Sequence, residues 1–262
     1  MADFFGSSGR KFLTIINDFA NFGGYTFLIL KTLLGKKPGG KKTGANVFFK
    51  QVLFTGVDAL PVVALVSLAI GGIAIIQSLI YLPRFGGEAF VGNILITVII
   101  RELGPLLTGF IVIGRSGTAI TTEIGNMVVS HEVESLESMG VDPVRYIVIP
   151  RLLGCTVSLI ALNVYFNIFA IIGGFLISKL VLITSIVIFL EKILDSLLLS
   201  DITISLLKGL IFGILVALIC TYRGFSVRIS STEVPQQTTK AVVQSITALF
   251  LADGLITFMY YF

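Results

Sequence analysis

Four ionisable residues lie inside long apolar runs of this 262-residue sequence. Arg101 and Glu102 are adjacent in one run, Lys208 lies in a second run, and Asp253 lies in a third. A charge at the centre of a bilayer costs about 2.5–3.5 kcal/mol on insertion scales, so these side chains should face one another or a polar cavity. Opposite charges within a few ångströms stabilise the charged forms. The pattern therefore predicts an intramembrane charge network.

Such a network has two interpretations that the sequence leaves open. It can simply hold the helices together, or it can line a cavity through which a substrate passes. In the second case Arg101 and Lys208 would supply cationic partners for a polar group of the substrate. Gly104 and Pro105 follow directly and would loosen the helix at this level, which gives the cavity a place to flex.

Composition places these residues in a membrane protein. Apolar residues make up 55% of the chain and charged residues 13%, against about 25% charged residues in soluble domains, and the mean hydropathy is +0.99. We predict an all-α integral membrane protein with an interfacial segment and basic linker at 1–45 and one transmembrane domain at 46–262. A helix needs about 20 residues to cross a bilayer, and five runs are long enough, at approximately 53–80, 90–113, 147–177, 203–222 and 239–261.

The distribution of basic residues predicts the orientation. Fourteen Lys and Arg residues precede span one or follow spans two and four, whereas only Arg84, Lys179 and Lys192 lie on the opposite side. By the positive-inside rule the N-terminus is cytoplasmic and the C-terminus lies outside, in the periplasm. An odd number of spans agrees with this.

Two further segments have features of the membrane surface. The N-terminal region carries apolar residues at near-helical spacing among polar ones, which predicts an amphipathic helix in the cytoplasmic headgroup layer: Phe5, Phe12, Ile15, Ile16, Phe19 and Phe22. The region 180–203 is apolar but interrupted by charges, and it is either a surface helix or part of an extra span. The sequence GKKPGGKK at 35–42 has phosphate-loop spacing, but Lys42 stands where Ser or Thr would bind magnesium, so no ATP-hydrolysing motif is predicted.

The longest cytoplasmic connection, residues 114–151, is the predicted contact with a soluble partner. A helix is expected from Thr118 to Met139, ending at Gly140 and followed by a new helix start at Asp142-Pro143. This helix would have an apolar face and a solvent-exposed acidic face, which suits docking to a soluble partner. The alternative is that the helix only packs against its own transmembrane bundle. The residues predicted to couple to the partner are Glu123, His131, Glu132 and Glu137.

Several stretches of the sequence resemble the permease family of MlaE-type, MCE-associated ABC lipid transporters. They are RELGP, GRSGTAITTEIG and ESMGVDPVRYIVIPR within 101–151, and TTKAVVQSITALFLADGLIT near the C-terminus. The resemblance implies a homodimer in the bacterial inner membrane, a cytoplasmic ATPase on each copy that binds ATP and Mg²⁺, and a periplasmic MCE-domain protein. It also implies that phospholipid occupies a cavity between the two permeases, in a system that maintains outer-membrane lipid asymmetry. The chain departs from the family at His131-Glu132, where a Glu-Gln type of pair is common.

Two other functions are weaker interpretations of the same residues. An ion-coupled secondary transporter would use Glu102 and Asp253 as a proton relay, but the spans show no convincing internal repeat. An intramembrane hydrolase would need a His-Asp pair, a zinc motif or a nucleophile elbow within the spans. We therefore predict a transport subunit that is not an enzyme and has no metal site of its own. Cys155 and Cys220 are expected to be small core residues.

Overall fold

The chain forms a bundle of long helices. A computed structural model describes residues 18, 20–35, 41–81, 95–182, 191, 193–228 and 230–262, and these residues contain helices and no strand. Five helices are long and apolar enough to cross a membrane, and we name them spans 1 to 5: Ala45–Ser78, Ile96–Val129, Val144–Leu180, Leu199–Phe225 and Glu233–Tyr261. The all-α fold and the number of spans predicted from the sequence are therefore confirmed.

The described residues form the following helices, which include the five spans and the segments between them. Helix α1 covers residues 20–34. The remaining α-helices are α2 (Lys41–Thr55), α3 (Leu60–Tyr81), α4 (Gly104–Val112), α5 (Thr118–Val129), α6 (Glu132–Ser138), α7 (Ile149–Leu182), α8 (Leu199–Phe225) and α9 (Glu233–Tyr261). A 3₁₀ turn at Val57–Ala59 joins α2 to α3, and π-helical segments occupy Leu95–Leu103, Ile113–Gly117 and Val144–Val148.

Span 2 is longer than the bilayer requires. Its 34 residues extend for about 50 Å at the rise of an α-helix, whereas the hydrocarbon core is about 30 Å thick. The sequence predicted that span 2 ends near residue 113, but the helix continues through Ile113–Gly117 in π-helical form and the span extends to Val129. Gly117 serves packing there, since a Cβ at this position would lie 3.0 Å from the Cys220 sulfur on span 4.

Small residues bring spans 1 and 3 into close contact. A Cβ on Gly71 would overlap the Ala170 carbonyl, and a Cβ on Gly173 would overlap the Leu68 carbonyl. Without a hydrophobic driving force between helices in lipid, such backbone contact lets dispersion forces hold the pair. The core between spans 2, 3 and 4 is filled by buried apolar side chains, among them Ile113, Cys155, Phe166, Phe212, Val216 and Cys220. The two cysteines are free and buried, as expected.

Helix α1 packs on the end of span 4. Phe22 and Tyr25 contact the Tyr222 ring at centroid distances of 5.3 and 5.5 Å, and burial raises the pKa of the Tyr25 hydroxyl well above its usual range. Other apolar side chains of α1 are exposed, namely Phe27, Leu28, Leu30, Leu33 and Leu34. An exposed apolar face suits a helix lying in the membrane surface. The position of the N-terminal helix in the headgroup layer remains a prediction, since residues 5, 12, 15, 16 and 19 lie outside the described residues.

The helix expected over 118–139 is divided in two. Helix α5 ends at Val129, and α6 begins at Glu132 after a turn at Ser130 and His131. The break occurs because His131 has a left-handed backbone conformation with φ of 58°, which no continuous α-helix contains. The expected end at Gly140 is confirmed, with φ of 75° at this glycine. In the ambiguous region 180–203, residues 183–190 and 192 lie outside the described residues; the helix of span 3 continues to Leu182 and span 4 begins at Leu199.

Candidate functional site

Three of the four predicted intramembrane charges meet at one point. The ammonium of Lys208 on span 4 donates hydrogen bonds to Glu102 Oε2 on span 2, at 2.7 Å, and to Thr257 Oγ1 on span 5, at 2.9 Å. The same ammonium forms an ion pair with Asp253 Oδ1 at 2.7 Å. We call Glu102, Lys208, Asp253 and Thr257 the charge cluster. Three spans are thus joined through one side chain.

The charge cluster is buried at its centre and open at one edge. The Lys208 side chain has 0% exposure and Asp253 has 11%, whereas Glu102 has 29%. Burying an unpaired ammonium is costly, so the complete enclosure of Lys208 requires its carboxylate partners. With two carboxylates and one ammonium, the ionised cluster carries an excess negative charge, and its accessible atoms belong to Glu102.

Thr257 completes the charge cluster and was missed by sequence reasoning. Its hydroxyl lies 3.2 Å from both Glu102 oxygens and donates a hydrogen bond to that carboxylate, while accepting one from Lys208. The only sequence signal was its position four residues after Asp253, which puts both side chains on one face of span 5. Threonine is ordinary in a membrane helix, so this spacing alone did not distinguish it.

Arg101 does not belong to the charge cluster. Its guanidinium forms an ion pair with Asp201 and donates a hydrogen bond to the Tyr261 hydroxyl at 3.0 Å. It also stacks over the Tyr260 ring at 5.2 Å. Asp201 is 1% exposed and lies seven residues before Lys208 on span 4, or about 10 Å along the helix. The predicted single network of four residues is therefore corrected to two separate groups.

Asp201 has a second role that explains its position. Its Oδ2 accepts the Leu198 amide at 3.0 Å, so the carboxylate caps the first turn of span 4 while Oδ1 holds Arg101. A carboxylate at a helix N-terminus satisfies free amides and opposes the positive end of the dipole. The pair thus joins the start of span 4 to span 2.

A change in helical register lies next to Arg101 and Glu102. Span 2 is π-helical from Leu95 to Leu103 and becomes α-helical at Gly104. Pro105 has no amide hydrogen to give to the Arg101 carbonyl, so the ordinary α-helical bond is lost at this level. The π segment rotates the side chains before it relative to those after it. Arg101 and Glu102 both lie within this segment, and as adjacent residues of a helix they point in different directions and reach different partners on span 4.

A buried group of amides supports the same part of span 2. Asn163 Nδ2 donates to the Ser205 hydroxyl at 2.9 Å and to its carbonyl at 3.0 Å, and Asn167 Nδ2 donates to the same hydroxyl at 3.3 Å. Both Asn Oδ1 atoms point at Gly104, where a Cβ would displace them. The contact requires a glycine at 104. The two asparagines, four residues apart in an apolar run, were a signal that sequence reasoning missed.

The predicted coupling residues are exposed but do not form one surface. His131, Glu132 and Glu137 lie on or beside α6 and are exposed, and His131 Nδ1 is 2.9 Å from Glu134. Glu123 lies on α5 instead, where it forms an ion pair with the buried Arg151 at 2.7 Å. Glu123 therefore also links α5 to span 3. Across the described ranges, no group of three His, Cys, Asp or Glu side chains has an arrangement that could hold a metal ion.

The fold and the buried charges indicate the general class of protein. Five apolar spans around buried ion pairs, with polar helices extending from one end, form a multi-pass membrane protein. Comparison with known proteins then identifies the family: the description "Permease MlaE" matches residues 48–259, so the chain belongs to the MlaE permease family. The family resemblance inferred from the motifs is confirmed. Permeases of ABC transporters are generally not enzymes themselves.

Curated relatives agree with this assignment along nearly the whole chain. A Rickettsia typhi protein named "Probable ABC transporter permease protein" is 30% identical over 98% of this chain and 96% of its own length. The "Intermembrane phospholipid transport system permease protein MlaE" of Haemophilus influenzae is 30% identical over 98% of this chain and 97% of its own length. The chloroplastic Arabidopsis protein TRIGALACTOSYLDIACYLGLYCEROL 1 is 29% identical over 81% of this chain and 61% of its own length. These findings support a lipid-transport permease in the inner membrane, with ATPase and lipid-binding partners in general terms.

Proposed function

We propose that this chain is the permease subunit of an ABC transporter that moves phospholipids between membranes and maintains outer-membrane lipid asymmetry. A separate cytoplasmic ATPase, which binds ATP and Mg²⁺, would drive it, and a periplasmic MCE-domain protein would exchange lipid with it. The family match and the phospholipid-transport relative support this proposal. The observation that connects the proposal with particular residues is the charge cluster, in which Glu102 is partly exposed.

The open edge favours a cavity lining over a purely structural tie. Glu102 keeps 29% exposure inside an apolar span, and a carboxylate exposed to lipid is costly, so a polar cavity beside it is favoured. The sequence predicted that Arg101 and Lys208 would supply cationic partners for the substrate. Both are already paired with carboxylates, so the accessible group is the hydrogen-bond acceptor Glu102. In this proposal Glu102 accepts hydrogen bonds from headgroup ammonium or hydroxyl groups, and the hydrogen bond from Lys208 holds its carboxylate in place.

A second copy of the chain belongs to the proposal. Because Glu102 opens at the surface of one copy, a water-poor lipid site beside it needs a second wall. Span 5 can supply that wall, since a large part of its apolar surface is exposed, including Leu255, Phe258 and Met259. Two-fold symmetry would place the same surface on both sides of one cavity. The N-terminus would be cytoplasmic and the C-terminus periplasmic.

The ATPase contact is proposed at α6. Its acidic side chains Glu132 and Glu137 are exposed, and Met139 beyond it is 69% exposed. A short helix with charged and apolar groups, held between spans 2 and 3, can transmit movement of a docked partner into span 2. Glu123 would act from α5 through its ion pair with Arg151.

The test is transfer of labelled phospholipid between two vesicle populations by the reconstituted complex. Transfer should require this chain, its ATPase and ATP hydrolysis. A catalytically dead ATPase with the intact permease provides the matched control. Transfer that follows a proton gradient and continues without the ATPase would contradict the proposal and favour a proton relay through Glu102 and Asp253.

A further inference from the structure

A cavity extends along span 4 from Leu215 to Arg223, and its deep end at Leu251 lies two residues from Asp253 of the charge cluster. It has a volume of about 300 Å³ and is lined by residues of α1 and of spans 4 and 5. Its walls are mainly apolar and include Phe22, Leu215, Ile219, Ala248 and Leu251. This volume is at the lower end of small-molecule sites. The long apolar wall suits one hydrocarbon chain. We call this cavity the α1 pocket.

One end of the α1 pocket is cationic. The Arg223 side chain is 7% exposed. Its Nε donates a hydrogen bond to Gln244 Oε1 at 2.7 Å, and its Nη2 donates one to Asp18 Oδ2 at 3.2 Å. Among the described residues, these contacts use two of its five N–H donors. A guanidinium binds phosphate oxygens in the same geometry as a carboxylate. The Asp18 carboxylate, 55% exposed, therefore occupies a position that a phosphate can take.

The depth of these groups matches an amphipathic ligand. Arg223 is two residues from the end of span 4 at Phe225, at the end predicted to be cytoplasmic. Leu215 lies eight residues earlier, about 12 Å deeper along the helix. The cation is thus at the level of lipid headgroups and the apolar walls are at the level of acyl chains. Lys208 is 15 residues from Arg223, about 22 Å along the helix, so this is a separate site.

We propose that the α1 pocket binds a phospholipid of the cytoplasmic leaflet, with its phosphate on Arg223 and one acyl chain between Ile219 and Leu251. The bound lipid would fasten α1 to spans 4 and 5. Asp18 competes with the phosphate for the guanidinium and is displaced when lipid binds. This site is distinct from the cavity proposed for transport, and it would bind lipid whether or not the protein moves lipid.

The test uses phosphatidylglycerol with a photoreactive acyl chain, as a minor component of phosphatidylcholine vesicles that contain the protein and its partner subunits but no ATP. After illumination, peptides of spans 4 and 5 around Ile219 and Leu251 should carry the label. Arg223→Gln should reduce this labelling about tenfold or more, the effect expected from a lost charge-assisted hydrogen bond. Arg228→Gln is the matched control, because Arg228 is exposed nearby and its loss should leave the labelling unchanged.

Two further variants separate lipid binding from misfolding. Ala248→Phe fills the pocket and should reduce labelling to a similar extent, whereas Asp18→Asn removes the competing carboxylate and should increase it. A misfolded protein cannot produce that increase. Equal labelling of wild type, Arg223→Gln and Ala248→Phe would overturn the proposal, as would reduced labelling in Asp18→Asn. Because no ATP is present, this result is independent of lipid transfer by the complex.

Discussion

Replacing Lys208 by methionine removes the cation that Glu102 and Asp253 share. Methionine keeps an unbranched side chain of similar length, so the main change is the loss of charge and hydrogen bonds rather than a new cavity. Glu102 and Asp253, each 2.7 Å from the ammonium, would then face each other without a counter-ion. Breaking a buried ion pair by removing one partner costs about 3–5 kcal/mol. Because Glu102 is partly solvated, we expect a loss near the lower end, about 3 kcal/mol.

Neutralising the whole charge cluster should reverse most of that loss. In the triple variant Glu102→Gln, Lys208→Met and Asp253→Asn, no unpaired charge remains, and replacing a complete buried pair by neutral groups is often nearly neutral for stability. Lys240→Met is the control for loss of a positive charge, since Lys240 is exposed. Thermal unfolding and lipid transfer are measured on the same purified complexes.

The two measurements together separate the structural tie from the cavity lining. If the cluster lines the lipid path, the triple variant should be stable but should not transport. A stable triple variant that transports normally would refute the functional assignment of Glu102, Lys208 and Asp253. A single Lys208→Met variant as stable as Lys240→Met would refute the electrostatic reasoning itself.

Three other predictions follow from the packing and the exposed surfaces. Asp201→Ala should lower the free energy of unfolding by more than the roughly 1 kcal/mol of a lost helix cap, because the Arg101 guanidinium also loses its partner. A loss no larger than the cap value would contradict a stabilising ion pair. Gly71→Leu should prevent the close contact of spans 1 and 3 and reduce the yield of folded protein. Gly114→Leu is the control, because Gly114 has open space around it. Equal yields of the two variants would contradict the close packing at Gly71. Glu132→Lys combined with Glu137→Lys should release the ATPase without changing thermal unfolding, and full co-purification would place the docking site elsewhere.

The charge cluster was predictable because the membrane leaves few alternatives. Glu102, Lys208 and Asp253 lie in apolar runs, and the cost of exposing them to lipid requires that they find partners within the bundle. The five spans were predictable for a related reason, since apolar runs in lipid must satisfy their backbone groups internally as helices. Gly71 could likewise be assigned to helix contact, because few other roles exist for a glycine in the middle of a span.

The remaining features depend on contacts that no local pattern contains. The partner of Arg101 is Asp201, which lies at the start of span 4 and looked like a boundary residue beyond the membrane. The π-helical segment Leu95–Leu103, which contains both Arg101 and Glu102, has no local sequence pattern that predicts it. The break at His131 was hidden because the surrounding residues favour helix, and only the left-handed backbone of one residue interrupts it.

The most direct test of the central claim is whether transported phospholipid passes the charge cluster. Val98 is 41% exposed and lies one turn from Glu102 on span 2, so a photoreactive amino acid at this position can report lipid there. Leu176 on span 3, 50% exposed, is the control for ordinary bilayer contact. We predict that cross-linking of labelled phospholipid at position 98 changes with ATP hydrolysis, while cross-linking at position 176 does not. Cross-linking at both positions that is identical with and without ATP would contradict a lipid path beside Glu102.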